Sequence, residues 1–160
     1  MSKAFTDEET PVPDGPEALP PRERELPITR RGLARLRAEL AALSAAGPSE
    51  IGVRRARVLA QVLQSVYVQE PSLVDGRVGF GTRVSVEEAD GRRTIYEIVG
   101  PDEAEPARHE ISVASPVARA LLGTRAGDVV VLRRPRGDVE VTVVSVTVAP
   151  GEDANGQGRM

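Results

Sequence analysis

Residues 29–43 read TRRGLARLRAELAAL, and this stretch decides the first half of the fold. Its leucines follow one another at spacings of three, four and three residues: Leu33, Leu36, Leu40 and Leu43. Side chains at these spacings share one stripe of an α-helix, and such a stripe needs a partner surface to bury it. Thr29 is a candidate N-cap, and Gly32 occupies the third helical position, where a capping box carries Glu. The stretch therefore predicts an amphipathic helix that begins after Thr29.

A second apolar stripe follows after a short turn. Gly47-Pro48 ends the first helix and Ser49 can cap the next, whose apolar positions are Ala56, Leu59, Leu63 and Val66. We expect this helix to end at Pro71. Two such helices form an antiparallel helical hairpin, a short coiled coil, with arms of about 27 Å at about 1.5 Å per residue. We assign the hairpin to residues 28–75.

From Val78 onward the apolar period changes to two, which is typical of strands. Residues 82–88 and 94–99 flank the hairpin-turn signal Asp90-Gly91, and the inward side chains are predicted to be Val84, Val86, Ile95 and either Tyr96 or Ile98. Further strands are predicted at 111–114, 129–132 and 139–146, with one short helix at 116–122, entered at Ser115. The fold class is α+β: a helical hairpin, then a small antiparallel sheet with one short helix over residues 76–148.

Charge and composition change along the chain. Residues 1–27 are rich in proline and carry seven acids against three bases (−4), whereas residues 28–70 carry seven arginines against three glutamates (+4). We predict a disordered acidic tail over 1–27 and a flexible tail over 149–160, because neither can bury enough apolar surface to offset its ordering entropy. The basic hairpin is suited to facing a polyanion, or its arginines simply keep it soluble.

The composition excludes several classes of protein. There is no cysteine, so disulfides and thiolate metal sites are absent, and a single histidine, His109, makes a histidine metal site or a serine–histidine triad hard to assemble. No apolar run approaches the roughly 18 residues of a membrane span, and the first residues lack the apolar core of a signal peptide. We expect a cytoplasmic, monomeric protein that is not itself an enzyme and needs no metal or cofactor.

Several stretches together resemble the GreA/GreB family of transcription elongation factors. They read ITRRGLARLRAEL at 28–40, VGFGT at 78–82, IVGPDEA at 98–104 and ISVASPVARALLG at 111–123, followed by GDVV at 127–130. The resemblance covers about residues 28–148, and the SPVARALLG string is specific enough that chance is a poor explanation. It implies that the second half is an FKBP-like domain.

The resemblance also implies a partner, bacterial RNA polymerase. In this family the globular domain docks at the rim of the polymerase's secondary channel, and the hairpin reaches toward the active site and the RNA 3′ end. The docking residues would be Ser115, Pro116, Arg119 and Asp128, and the basic residues facing the channel and RNA would be Arg31, Arg35 and Arg37. Each has an ordinary alternative. Ser before Pro also starts helices, Asp128 could pair with Arg119 or Arg125 or only form a turn, and the basic residues could be a solvated stripe.

The chain departs from the family pattern at the hairpin tip. The family tip carries an aspartate and a glutamate that help hold a catalytic magnesium, because this hard cation prefers oxygen ligands. Here the tip reads AAGPSEIG at 45–52, with Glu50 as its one acid, and the hairpin is shorter than the family's. We therefore predict a secondary-channel regulator of elongation that does not stimulate transcript cleavage.

Two alternatives remain open at this stage. A cleavage-stimulating Gre factor would need a second carboxylate, from Glu39 or from the polymerase. A peptidyl-prolyl isomerase of FKBP type would need an aromatic-lined apolar pocket, and the chain has only two phenylalanines, two tyrosines and no tryptophan.

Overall fold

A computed structural model describes residues 25–151. The elements in chain order are β1 (Leu26–Ile28), α1 (Arg30–Ala45), α2 (Glu50–Gln64), β2 (Val66–Val68), β3 (Thr82–Glu88), β4 (Arg93–Val99), a 3₁₀ turn (Pro106–Arg108), β5 (Glu110–Ser112), α3 (Pro116–Leu121), β6 (Val129–Leu132) and β7 (Val139–Val148). The predicted α+β order, a helical hairpin followed by a sheet with one short helix, is confirmed. In this part of the chain no helix combines the length and the apolar character needed to span a bilayer.

Both predicted N-caps of the hairpin are confirmed. The Thr29 hydroxyl accepts a hydrogen bond from the Gly32 N–H at 2.9 Å, and the Ser49 hydroxyl accepts one from the Gly52 N–H at 3.0 Å. The helices have 16 and 15 residues. At about 1.5 Å per residue they span about 24 and 22 Å, slightly less than predicted.

The second helix ends earlier than predicted. It stops at Gln64 rather than at Pro71, because Val66–Val68 form β2, which pairs in parallel with β1. Valine and tyrosine favour extended backbone, and here a neighbouring strand is available to pair with them. This two-stranded sheet closes the base of the hairpin.

The hairpin has its own apolar core. Leu36, Leu59, Val62 and Ile28 are buried, and the partly buried side chains around them include Leu33, Leu40, Leu43 and Leu63. The first leucine stripe is therefore confirmed. The stripe predicted for the second helix was only partly right. It omitted Val62, which is buried in the core, and it included Val66, which lies in β2. Burial of each such side chain stabilises the fold by about 1.5–3 kcal/mol.

The second half is a five-stranded sheet in the order β5-β4-β3-β7-β6. All neighbours are antiparallel except β4 and β5, which are parallel, so the prediction of a purely antiparallel sheet was wrong at one edge. The inward residues Val84 and Val86 are confirmed and Ile98 is buried, but Ile95 is exposed. Ile95 pairs with Ser85, on the face opposite the core. In β4 the even-numbered side chains therefore face the core.

The core of the sheet lies under α3. Ala118 and Leu121 of this helix are buried with Val84, Leu132 and Val143 of the strands. The helix begins at the predicted Ser115 cap, whose hydroxyl accepts from the Ala118 N–H at 3.2 Å. The cap and the core thus hold the 115–121 segment at a defined place on the domain.

The described structure includes residues at the inner end of both predicted tails. Leu26 and Pro27 belong to β1, and Ala149 is buried and donates its N–H to the Gly81 carbonyl at 3.0 Å. Residues 1–24 and 152–160, the remainder of both predicted tails, lie outside the described residues. The division of the chain at residue 76 stays a prediction.

Candidate functional site

Three of the predicted docking residues lie together at the start of α3. Ser115 is half-buried as the N-cap, and Pro116 and Arg119 are exposed. Among residues 25–151 the Arg119 guanidinium has no hydrogen-bond or ion-pair partner, whereas most other arginines of the domain do. Ser115 therefore has a structural role as a cap, and Arg119 presents an unpaired positive charge to solvent.

Asp128 lies apart from this helix, in the turn before β6. Its carboxylate accepts the backbone N–H of Arg125 at 2.9 Å. Within the described residues it forms no ion pair with Arg119 or Arg125. Of the three interpretations left open by the sequence, the structure favours the turn.

Two of the predicted channel-facing arginines hold the base of the hairpin against the sheet. Arg31 donates to Glu97 at 2.6 Å and to the Pro150 carbonyl at 2.9 Å. Arg35 donates to Glu110 at 3.1 and 3.2 Å. Their side chains are only 28% and 23% exposed. A role in the channel stays a prediction for both, but their charges are already engaged. Arg37, by contrast, is exposed and unpaired in the part of the chain that the structure describes.

Three buried acids at the base of the hairpin were missed in the sequence. Glu97, Glu103 and Glu110 are all buried, although glutamate is rarely buried without a partner. Glu97 could have been noticed, because a charged residue stands there within an otherwise apolar strand segment. In the structure it lies opposite Arg83 of the neighbouring strand. For Glu103 and Glu110 the sequence gives little signal, because the partners from the hairpin, Thr29 and Arg35, lie 74 and 75 residues away.

Glu97 is held in its charged form by two arginines. Burial disfavours its charged form, but hydrogen bonds and positive charges from Arg83 and Arg31 outweigh that effect and lower its pKa below the usual value. The Arg83 Nε lies 3.0 Å and the Arg31 guanidinium 2.6 Å from the carboxylate. The ionised carboxylate therefore ties α1 to both β3 and β4.

The hairpin tip has one acid and an apolar surface. The Glu50 side chain is 81% exposed and pairs with Arg54, one turn later, at 3.0 Å. Next to it Ile51 is exposed, and an open groove is lined mainly by Leu43, Pro48, Gly52, Val53 and Ala56. Magnesium prefers several oxygen ligands, and in residues 25–151 no three acidic or histidine side chains form a group that could hold a metal ion. Among the described residues, the tip therefore offers a single carboxylate, that of Glu50.

Glu39, the possible second carboxylate, is committed elsewhere. It accepts two hydrogen bonds from Arg55 of α2, at 2.6 and 3.1 Å. The hydrogen bond from Arg55 is the largest cause of the lowered pKa of Glu39. This bidentate ion pair joins the two helices midway along the hairpin, away from its tip.

The aromatic side chains of the domain do not form an isomerase-like pocket. Phe80 is buried, and Tyr96 packs against the sheet core. Both therefore serve as core residues, and this arrangement does not favour prolyl isomerase activity.

Comparison with known proteins agrees with this architecture. The family described as "Transcription elongation factor, GreA/GreB, C-term" matches residues 73–148. The transcription elongation factor GreA of Maridesulfovibrio salexigens is 32% identical over 150 residues, which cover 76% of this chain and 94% of that protein. The chain belongs to the GreA/GreB family of transcription elongation factors. The family match includes α3 with its Ser115 cap, and the relative extends it across the hairpin.

Other Gre relatives match over a smaller part of their length. GreB of Yersinia pestis is 37% identical over 101 residues, covering 62% of this chain and 59% of that protein. GreA of Nitratidesulfovibrio vulgaris is 47% identical over 76 residues, and the match spans 48% of its length. The chain thus spans about half to three fifths of these two Gre factors. Among solved structures, GreA factor homolog 1 (Gfh1) of Thermus thermophilus is 28% identical, with a TM-score of 0.42, covering 78% of this chain and 99% of that one.

Proposed function

We propose that this Gre-family protein binds bacterial RNA polymerase at the secondary channel and regulates elongation without stimulating transcript cleavage. The observation that carries the proposal is the tip of the hairpin. Its one carboxylate, Glu50, is solvated and paired with Arg54, and the rest of the turn is small or apolar. Such a tip can occupy space in a channel, but it supplies too few oxygen ligands to help hold a second magnesium.

The short arms support the same conclusion. Cleavage stimulation by a hairpin requires that its acids arrive at the polymerase active site. Arms of about 24 Å set the reach of this tip, and each helical residue fewer withdraws it by about 1.5 Å. Glu39 offers no substitute, because both of its oxygens are held by Arg55. A cleavage-stimulating factor is therefore the less favoured function.

Docking is assigned to the start of α3, with Arg119 as the charged contact and Asp128 as a further contact from the next turn. The exposed Pro116 and the unpaired Arg119 form a mixed apolar and cationic surface, which suits a partner surface with a carboxylate. Near the RNA 3′ end the hairpin would contribute Arg37, since Arg31 and Arg35 are already bound to acids of the sheet.

Reversing the charge of Arg119 should weaken polymerase binding. In Arg119→Glu we expect the dissociation constant for purified core RNA polymerase to rise roughly tenfold at low salt, because an interfacial charge pair becomes a repulsion. Fluorescence anisotropy of the labelled protein measures this. Arg136→Glu is the matched control, since Arg136 is also exposed and lies in the β6–β7 turn. Equal weakening by both variants would show a general charge effect and refute the docking assignment.

The protein should not accelerate transcript cleavage in stalled elongation complexes. We expect the rate with the protein to stay at the intrinsic rate of the polymerase, because the tip cannot complete a two-metal site. A cleavage-active Gre factor serves as the positive control, and its stimulation should fall when this protein is added first. Cleavage that appears with wild-type protein and is lost in Glu50→Ala would overturn the proposal.

A further inference from the structure

The start of α1 is completed by a residue from the other half of the chain. Glu103, in the loop after β4, is 3% exposed. One of its oxygens accepts the Thr29 N–H at 2.6 Å and the Gly100 N–H at 3.1 Å. The other oxygen accepts from the Thr29 hydroxyl. One buried carboxylate thus joins the N-cap of the hairpin to the loop that follows β4.

This contact replaces part of a capping box. In a capping box, the third helical residue is Glu or Gln, and its side chain accepts the N–H of the N-cap residue. Here that position is Gly32, and the Thr29 N–H is accepted instead by Glu103, 74 residues after Thr29. A local capping box stabilises a helix but does not fix its orientation relative to the rest of the protein. The same hydrogen bond made by a distant residue also fixes the helix start to the sheet.

Gly32 provides the space for this carboxylate. A Cβ built on Gly32 would lie 2.5 Å from the Glu103 Cδ, and even closer to one of the carboxylate oxygens. The Glu103 side chain is buried and held by three hydrogen-bond donors, so it cannot swing aside without losing them. Glycine at this position is otherwise unfavourable, since it lowers helix propensity relative to alanine.

A second attachment lies within the first two turns of the helix. Arg31 reaches Glu97, and Arg35 reaches both Glu110 and the backbone carbonyl of Glu103, the last at 2.6 Å. A rigid helix held at its first residue alone could pivot. A helix that is also held by side chains one turn apart has its axis direction defined.

We infer that the Glu103 cap, the space left by Gly32 and the two arginine clamps form a positioning device that sets the direction in which the hairpin leaves the sheet. The inference rests on the proposed function, in which the hairpin is a probe aimed into a channel. Direction matters for such a probe, because a tilt of about 10° moves the end of an arm of about 24 Å by about 4 Å. Glu103 and Gly32 are positioning residues and need not touch the polymerase.

The experiment measures the direction of the hairpin in the free protein. The chain has no cysteine, so Ala45→Cys at the tip and Asp138→Cys in the β6–β7 turn place two spin labels, and both sites are exposed. Electron–electron double resonance then gives the distribution of distances between them. The test variant is Gly32→Ala, and the matched control is Gly52→Ala. Gly52 has the same third position after an N-cap. Its Cβ would lie 2.7 Å from the Ser49 Oγ and 3.9 Å from a Leu43 methyl, so a side chain within the hairpin must shift but no contact with the sheet is disturbed.

Both alanines raise helix propensity, so a local effect predicts the same outcome for the two variants. We expect one narrow distance peak for the parent and for Gly52→Ala. For Gly32→Ala we expect a shifted peak or one broadened roughly twofold or more, because the displaced carboxylate releases the helix start. An unchanged distribution in a folded Gly32→Ala protein would refute the inference.

If Gly32→Ala does not fold, the comparison of Arg35→Gln with Arg55→Gln decides by the same measurement. Arg35→Gln removes an ion pair between the hairpin and the sheet, whereas Arg55→Gln removes an ion pair within the hairpin, so only Arg35→Gln should broaden the peak.

Polymerase assays separate this inference from the proposed function. The dissociation constant of Gly32→Ala for polymerase should stay within about threefold of that of wild type. Its effect on the elongation rate should be about tenfold smaller than that of wild type. Failure of the wild-type protein to bind would refute the proposed function and leave the distance result standing.

Discussion

Glu97→Gln is expected to lower the free energy of unfolding by about 2–3 kcal/mol at neutral pH, because a buried carboxylate that accepts hydrogen bonds from two arginines loses its charge. Arg31 and Arg83 would remain partly buried with a weaker acceptor. Urea denaturation followed by circular dichroism measures the loss. Glu87→Gln is the matched control on the same face of the sheet. Its pair with Arg93 is exposed, so we expect a change below about 1 kcal/mol.

The same variant has a defined pH dependence. The pKa of Glu97 is lowered in the folded protein below the ordinary value of a glutamate, so the carboxylate contributes its full stabilisation above that ordinary value. The contribution is lost as the pH falls through the lower, folded pKa. The difference in stability between wild type and Glu97→Gln should therefore be large at about pH 7 and shrink toward about pH 3. A difference that stays constant over this range would show that the carboxylate is not held in its charged form.

Gly100→Ala is expected to destabilise the protein by about 3 kcal/mol, because the backbone of a second segment occupies the space that a methyl group needs. A Cβ on Gly100 would lie 2.9 Å from the Pro27 carbonyl carbon, with the oxygen of that carbonyl closer still. Pro27 cannot withdraw freely, since β1 is paired with β2 at Tyr67. The substitution should therefore force the loop after β4 away from the base of the hairpin.

Gly52→Ala is again the control for this change. A Cβ on Gly52 would lie 2.7 Å from the Ser49 Oγ, so the side chain of this N-cap must shift. Alanine favours the helix over glycine and offsets this cost, so we expect a change in stability within about 1 kcal/mol of wild type. The two variants are compared by the midpoint and slope of urea unfolding. If Gly100→Ala were as stable as Gly52→Ala, β1 and the loop after β4 could not be in the close contact described.

Much of the fold was predictable because its signals are local. The leucine stripe of α1, the caps Thr29, Ser49 and Ser115, and the Asp90-Gly91 turn each act within a few residues of the chain. Periodicity and capping depend on neighbours at such short separations, so the sequence displays them directly. The family resemblance was equally visible, because it rests on contiguous strings.

The errors arose where distant segments compete with local patterns. Val66 continues a helical stripe, but β1 is available to pair with it and turns this segment into a strand. Ile95 has an apolar side chain, but the pairing register with β3 places it on the outer face. In both cases a partner strand elsewhere in the chain decided the conformation.

The sequence by itself determined the hairpin, the sheet and the family, and it showed that the tip has a single acid. The sequence also predicted a basic hairpin surface. The tertiary structure shows that two of its arginines are neutralised by acids of the sheet. Arg31 and Arg35 are paired with Glu97 and Glu110, so their charges serve the joint between hairpin and sheet. The role of Gly32 was not visible in the sequence either, because the residue that replaces the missing capping side chain is Glu103, which lies 74 residues after Thr29. Buried ion pairs and shared caps depend on proximity in space, which chain separation does not reveal.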